Sequence, residues 1–497
     1  MLPQERTSRA SLSMCLETSM GSIIVWVILA HVTFYNFQTI IEKTLKLLAD
    51  NANDIIYLLP QSAELETQSA RGSPFRQKAI RLCAAGLLAI LTDLAFLSLL
   101  PARWYVNEST DYYQFYEPVA RNVISANGLV SADGTPALEY PPGFPLILAA
   151  AFETADLLGI PESLALRLEI LLSTALTAIL IYLIAARIYE SRTAVVAVLL
   201  WATYPLELWL TKQPDSGQVF TVLFLLSIYI FLVTAQNPRC INAGYFAIGI
   251  LAGLGSLIRP IGLGTGLVFI LAACLFPPKG RLLRKVIAVM LLVFGNLLAI
   301  APWEVWAWRV SGRWIPLSTN GPASMFDGLT FSALRQPLDL PLPAAVENVI
   351  QEYVTNVGEL HTTGRLVQFT AAEMMHHPVA MAELFAIKAS RSWYATDSRR
   401  LEKESAAVQL LYLVPGVWAL IVAGKRKPLQ STFALLVILF TGYFWVMSIL
   451  TLSIVRYMLP AMALAVTIIA AGPWIKFFDK QQSYSSVHSS TPPAGTI

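Results

Sequence analysis

Residues 107–128 read NESTDYYQFYEPVARNVISANG. Asp111 stands there among Tyr112, Tyr113, Phe115 and Tyr116, and Ser109 or Thr110 is placed to cap a short helix that carries it. An acid beside aromatic rings suits sugar chemistry: ring faces pack on sugar C–H faces, while a carboxylate handles hydroxyl protons. The plainer alternative is a solvated carboxylate at a helix start. Two further carboxylates compete for the same role. Glu117 falls about two helical turns after Asp111 and can share its face, whereas Glu108 precedes the helix. Asn127-Gly128 closes the run as a helix stop.

Most other catalytic signatures are missing. The sequence has no P-loop, no GxSxG, no HExxH and no GxGxxG fingerprint. His376 and His377 are adjacent, so they do not share a helical face as a metal pair would. Cys15, Cys83, Cys240 and Cys274 are scattered, without disulfide or zinc spacing. Any chemistry must therefore use carboxylates, cations and aromatics.

The elements that position those groups follow from composition. The chain has 497 residues, of which 56% are hydrophobic and 13% charged. Its mean hydropathy is +0.58. A soluble domain carries roughly 25% charged residues, so a soluble enzyme of this length is excluded, as is a disordered chain. The net charge of +3 leaves no electrostatic footprint for nucleic acid. Apolar runs that span a membrane, or nearly so, fall at 80–101, 164–187, 193–211, 216–235, 241–257, 261–276, 284–303, 406–424, 431–450 and 453–475. With those ten spans every short basic loop lands on one face: Arg76/Lys78/Arg81, Arg187/Arg192, Arg239, Lys279 to Lys285, Lys425 to Lys427, and Lys476/Lys480. That face is the cytoplasm by the positive-inside rule.

Two long segments, 102–163 and 304–405, then lie outside it, rich in Trp, Tyr, Pro and acids. Long loops of this kind carry function. Within the first, residues 144–158 are too short to cross and hold Glu153 and Asp156, so they read as a helix on the outer face, started by Pro141-Pro142-Gly143. Residues 20–36 read as an extra span, a signal anchor or an interfacial helix, and the Ser/Pro-rich end as disordered.

The ordered set of motifs resembles the GT-C membrane glycosyltransferases. After the Asp-Tyr-Tyr run come YPPGFPL at 140–146, ALRLEILLS at 165–173 and GLGSLIRPIGL at 253–263. APWEVWAWRVSGRWIPLSTNG at 301–321, HPVAMAELFAIKASRSW at 377–393 and RYMLPAM at 456–462 follow. Most similar is the protein O-mannosyltransferase-like group, with the aminoarabinose transferases of lipid A and the rhizobial lipopolysaccharide core transferases. The resemblance implies a polyprenyl-phosphate sugar donor and puts the catalytic base on Asp111. The base would take the acceptor's hydroxyl proton as it attacks and inverts the anomeric carbon.

A leaving phosphate calls for cations, and Lys212, Arg259 and Arg456 stand at the outer ends of spans. Simple snorkelling to the interface is the alternative for each. Asp215 is placed to neutralise Lys212 or to touch the acceptor, and Glu139 and Tyr140 precede the Pro-Pro pair. Tyr112, Tyr113, Glu117, Glu139, Tyr140 and Asp215 are the candidate sugar and acceptor contacts. The aminoarabinose transferases carry a Lys where Tyr140 stands, which argues against that donor and removes one cation. Trp303, Trp306, Trp308 and Trp314 read as interfacial anchors, with sugar stacking the lesser reading.

The reading is thus an all-α polytopic membrane protein, a GT-C bundle of about ten core helices. It comprises an N-terminal segment 1–78, a membrane core 79–303 containing the loop 102–163, a cap 304–405, closing helices 406–476 and a tail 477–497. Amphipathic stretches near 344–393 build the cap, and the Pro-rich 337–343 is a connector. The expected activity is inverting transfer of a hexosyl or pentosyl unit from a polyprenyl-phosphate donor to a protein, lipid or polysaccharide hydroxyl. The expected place is a bacterial inner or plasma membrane with the site outward, among membrane lipids, with no nucleic acid partner. No cofactor is called for, and without a clear DxD pattern a divalent ion is not indicated. The rival readings are a transporter or flippase for lipid-linked sugars, against which stands the lack of internal repeats, and a non-catalytic assembly factor.

Overall fold

A computed structural model describes residues 74–101, 104, 110–237, 241–275, 282–423 and 428–472. The possible extra helix at 20–36, Glu108, Ser109 and the tail 477–497 lie outside them. By internal contacts the chain divides into Met1–Gln77 and Lys78–Ile497, and the helical bundle and its cap belong to the second unit.

The described residues fold as helices. Seven are long and apolar enough to cross a membrane. These are α1 (Pro74–Leu99), α4 (Glu162–Ile188), α7 (Ser216–Gln236), α8 (Ile241–Ile258), α10 (Leu282–Ser311), α15 (Glu402–Ala423) and α16 (Pro428–Leu450). Between α1 and α4 lie α2 (Glu117–Ile124) and α3 (Gly143–Leu158).

Among the described residues, three of the ten expected spans are shorter. At 193–211 the run divides into α5 (Ser191–Ala202) and α6 (Pro205–Leu210), because the residue before a proline avoids helical geometry and Tyr204 is extended. At 261–276 a 3₁₀ turn, Pro260–Gly262, precedes α9 (Thr265–Leu275). At 453–475 a 3₁₀ turn, Val455–Met458, precedes α17 (Leu459–Ala470). Twelve residues of helix reach about 18 Å, short of a hydrocarbon core about 30 Å thick. The breaks before α9 and α17 lie beside Arg259 and Arg456 of the candidate site.

The core is organised around α17. It is apolar on every side, with all but one of its residues buried, and packs against α4, α5, α7, α15 and α16. Phe220 and Phe224 of α7 interlock edge-on with Phe440 and Phe444 of α16. The α8/α10 pair is the closest: a Cβ at Gly249 would lie 2.1 Å from the Leu292 carbonyl oxygen, so only glycine lets these backbones approach. Leu87, Leu297 and Leu411 are among the exposed leucines on the outside of the bundle, as lipid-facing positions require.

The cap has its own apolar core. Helices α11 (Gly321–Leu329), α12 (Ala344–Thr355), α13 (Thr363–His376) and α14 (Pro378–Arg391) bury Val346, Ile350, Tyr353, Leu366, Met381 and Leu384 together. It is fastened to the bundle at one end of α14. Lys388, fully buried, donates from Nζ to the Thr451 carbonyl at 2.9 Å, and Trp445 Nε1 donates to the Ala389 carbonyl. Two expectations shift here. Helix α10 continues through Pro302 to Ser311, past the expected edge at 303. Trp303 is no interfacial anchor: it is buried, stacks on Trp306 and donates to the Leu317 carbonyl, whereas Trp308 and Trp314 are exposed.

Candidate active site

Asp111 sits at the start of a π-helical turn, Tyr112–Tyr116, which runs directly into α2. Extra residues in a turn of this kind rotate successive side chains relative to an α-helix, a frequent feature of functional sites. Here the turn buries Tyr112, Phe115 and Tyr116 and leaves Tyr113 exposed. The ring of Tyr140 packs against Phe115 and Tyr116, with centroids 5.0 and 5.3 Å away. Its hydroxyl donates to Asp111 Oδ1 at 3.1 Å. Burial, and then the nearby Asp111 charge, push the Tyr140 phenol up, so it remains a proton donor across the physiological range.

Three breaks in the helical bundle bring charges to the same place. Asp215 is the N-cap of α7, its Oδ1 accepting the Gly217 N–H at 2.7 Å. Arg259 follows α8 in extended geometry before Pro260, is 7% exposed, and lies over the Tyr457 ring. Arg456 belongs to the 3₁₀ turn before α17. Arg456 reaches Asp111 Oδ2 at 3.7 Å and Asp215 Oδ2 at 3.6 Å, and Arg259 reaches Asp215 Oδ1 at 3.7 Å. These ion-pair contacts are all longer than a hydrogen bond. Arg456 Nε is buried without a partner among the described residues.

Not every candidate joins this cluster. Lys212 Nζ lies 3.7 Å from the centroid of Trp209, and burial pushes its ammonium down to about 8. Asp215 pairs with the two arginines instead of Lys212. Glu117 is held by Arg121 at 2.7 Å, and Arg121 also reaches Glu162 at 3.0 Å. Glu139 is exposed, within electrostatic reach of Asp111. The left-handed residue that ends α2 is Ala126, ahead of the Asn127-Gly128 pair, although Gly128 is left-handed too.

Sequence reasoning missed several groups. Arg167 of α4 donates to the Thr211 and Lys212 carbonyls and so braces the stretch before Asp215. Asp397 lies within electrostatic reach of Arg456, brought there where Val455 N–H donates to the Ala395 carbonyl. Asp93, Glu169 and Glu207 are carboxylates at membrane depth; the latter two lie within reach of Asp215. Arg167 carried a signal, since it is a charge inside the apolar motif ALRLEILLS. Asp397 carried none. Among the described residues, no group of three or more His, Cys, Asp or Glu is arranged to hold a metal ion.

The arrangement offers a hydrogen-bonded carboxylate beside two guanidinium groups, walled by aromatic rings. It can take a proton from a hydroxyl and meet an anionic group nearby.

Residues 139–306 match the family model described as dolichyl-phosphate-mannose-protein mannosyltransferase. That stretch holds YPPGFPL, ALRLEILLS, GLGSLIRPIGL and the start of the APWEVWAW motif. Among solved structures, the chain is similar to the oligosaccharyltransferase AglB of Archaeoglobus fulgidus in complex with an inhibitory peptide and a dolichol-phosphate. Identity is 12% over 86% of this chain and 53% of that one, with a TM-score of 0.46. For the apo form from the same organism the values are 13%, 84%, 52% and 0.48. For ArnT of Cupriavidus metallidurans bound to undecaprenyl phosphate they are 15%, 79%, 76% and 0.37. The chain spans about half the length of the archaeal enzyme (53%). Among curated protein sequences there is no significant match.

Proposed function

We propose that this chain is a GT-C-type inverting glycosyltransferase that moves a sugar from a polyprenyl-phosphate donor to an acceptor hydroxyl on the extracytoplasmic face of the membrane. One observation carries the reading. Asp111, Tyr140, Asp215, Arg259 and Arg456 come from five separate stretches of sequence and meet through contacts of 3.1 to 3.7 Å. Charged groups at the ends of membrane helices are costly and rarely assemble without a task.

In this reading Tyr140 fixes Asp111 through Oδ1, and Oδ2, once Arg456 turns to the phosphate, takes the acceptor's hydroxyl proton. The acceptor oxygen attacks the anomeric carbon from the face opposite the phosphate, and the bond from that carbon to the phosphate oxygen breaks. Polyprenyl phosphate leaves with the electron pair, and Arg456 and Arg259 meet its charge. The oxocarbenium-like transition state makes the carbon electrophilic enough for a weak base. Tyr113 and Glu139, both exposed, border the acceptor side, whereas Tyr112 is buried toward Arg121 and Glu162. The acceptor is a protein, lipid or polysaccharide hydroxyl.

The test uses the purified chain in lipid nanodiscs, polyprenyl-phosphate sugars and mass analysis of the acceptor. Asp111→Asn keeps size and hydrogen bonding but cannot take the proton, so turnover should fall about 10²- to 10⁴-fold while donor binding persists. Glu117→Gln should stay near normal, because Arg121 already holds that carboxylate. Normal turnover by Asp111→Asn would refute the assignment of the base. Donor movement across vesicles without sugar transfer would favour the transporter.

A further inference from the structure

We propose that Asp215 is a resident stand-in for the donor's phosphate, displaced from Arg259 and Arg456 when the lipid phosphate binds and returning to expel it after transfer. The stand-in role rests on the proposed function, in which those arginines receive the phosphate.

The Asp215 carboxylate occupies what is otherwise an anion site. Oδ1 accepts the Gly217 N–H at 2.7 Å and faces Arg259 Nη1 at 3.7 Å, while Oδ2 faces Arg456 Nη1 at 3.6 Å. Helix α7 runs from Ser216 to Gln236, long enough for its N-terminus to favour negative charge. Arg259 is more than nine-tenths buried and lies against the first turn of that helix: a Cβ on Gly217 would be 2.3 Å from its Nη1. One carboxylate thus serves two guanidinium groups and a helix terminus, yet reaches neither guanidinium at hydrogen-bond length. The donor's phosphodiester carries one negative charge on two non-bridging oxygens, and the product monoester carries more of both; with hydrogen-bond contacts either can meet both arginines at once.

The surroundings explain why the displaced carboxylate would keep acting on the phosphate. Glu169 and Glu207 lie within electrostatic reach of Asp215, so swinging toward them only brings it to other acids. Its backbone is fixed as the α7 cap. The carboxylate therefore stays close, repels the product phosphate and competes for the same cations. Lipid phosphate is held firmly enough to react and weakly enough to leave.

The experiment measures equilibrium binding of undecaprenyl phosphate to the full chain in zwitterionic nanodiscs, with the neutral polyprenol as control. Asp215→Asn and Asp215→Ser both keep a good N-cap and remove the charge. Both should bind the phosphate tenfold or more tightly, leave polyprenol binding unchanged, and lower the product-inhibition constant by the same factor. Unchanged or weaker phosphate binding by both variants, with Arg259→Gln and Arg456→Gln still impaired, would overturn the stand-in role and leave the phosphate site standing. If both arginine variants bind like wild type, the phosphate site itself is wrong and the proposal goes with it.

Discussion

Gly217→Ala offers a sharp test of where the phosphate is gripped. A Cβ built on Gly217 falls 2.3 Å from Arg259 Nη1 and 2.6 Å from Asp215 Oδ1, whereas ordinary contact begins at 3.4 Å. The guanidinium must therefore retreat by about 1.1 Å (3.4 minus 2.3). Both obstructing atoms are ends of flexible side chains, so the backbone need not move, and alanine in a helix is favoured over glycine by up to about 1 kcal/mol. The fold should survive. The phosphate contact should not: a charge-assisted hydrogen bond near 2.8 Å, stretched by about 1.1 Å, is lost. At about 1.5–3 kcal/mol for a hydrogen bond to a charged group, and 1.4 kcal/mol per decade, donor affinity should drop roughly 10- to 150-fold. The assay is undecaprenyl phosphate binding beside thermal unfolding. Gly416→Ala serves as the control, since its added Cβ would meet only Ile469 at ordinary distance. Wild-type phosphate affinity in Gly217→Ala would refute the placement of Arg259 at the phosphate.

Two further perturbations separate positioning from stability. Tyr140→Phe removes the donor to Asp111 Oδ1 and keeps the ring packing, so kcat should fall about tenfold at unchanged donor affinity; a loss of donor affinity with normal kcat would contradict a role on the base. Lys388 tests the cap: burial, reinforced by Arg391, pushes its ammonium down to about 7, against about 10.4 in the unfolded chain. Between those values the unfolded chain binds more protons, so this group makes stability rise with pH from about 7 to about 10. Wild-type thermal stability should therefore gain on Lys388→Met across that window, and parallel profiles for the two would reject a titrating Lys388.

The membrane helices were legible because a run of about 20 apolar residues has few other uses. Their ends were less so. The run at 193–211 reads as one span until Pro205 is given weight, and the shortened α9 and α17 begin only after 3₁₀ turns that no hydropathy window detects. The site shows the same division. Arg259 and Arg456 stand out as charges at the ends of apolar runs and Asp111 as an acid among aromatics in the first outer loop, and the structure links them through Asp215. Lys212 carried the same signal, yet it turns onto Trp209, because the direction of a side chain at a helix end is set by packing partners distant in sequence. Tyr140 reads in the sequence both as a cation lost and as an acceptor contact, and in the structure its phenol donates a hydrogen bond to the acid. Asp397 lies in a polar stretch beside Arg399 and Arg400, and only the docking of Ala395 on Val455 brings it to Arg456.

The charge balance of the cluster gives the proposed chemistry an order. Without donor, Arg259 and Arg456 face Asp111 and Asp215 at 3.6 to 3.7 Å, with Asp397 also within electrostatic reach of Arg456. A lipid phosphodiester linked to sugar brings another negative charge, which both arginines can meet only by loosening their present partners. Asp111 keeps its hydrogen bond from Tyr140 when the guanidinium groups turn to the phosphate, whereas Asp215, anchored only by its backbone as the α7 cap, gives up its place between them. For Asp111 that exchange matters chemically. In the pairing seen here Asp111 Oδ2 is turned to Arg456, and release of that arginine opens Oδ2 to the acceptor's hydroxyl. In the proposed order, donor binding at Arg456 would thus bring in the leaving group and free the base for the acceptor in a single step. An acceptor that arrives first meets a carboxylate still engaged with arginine.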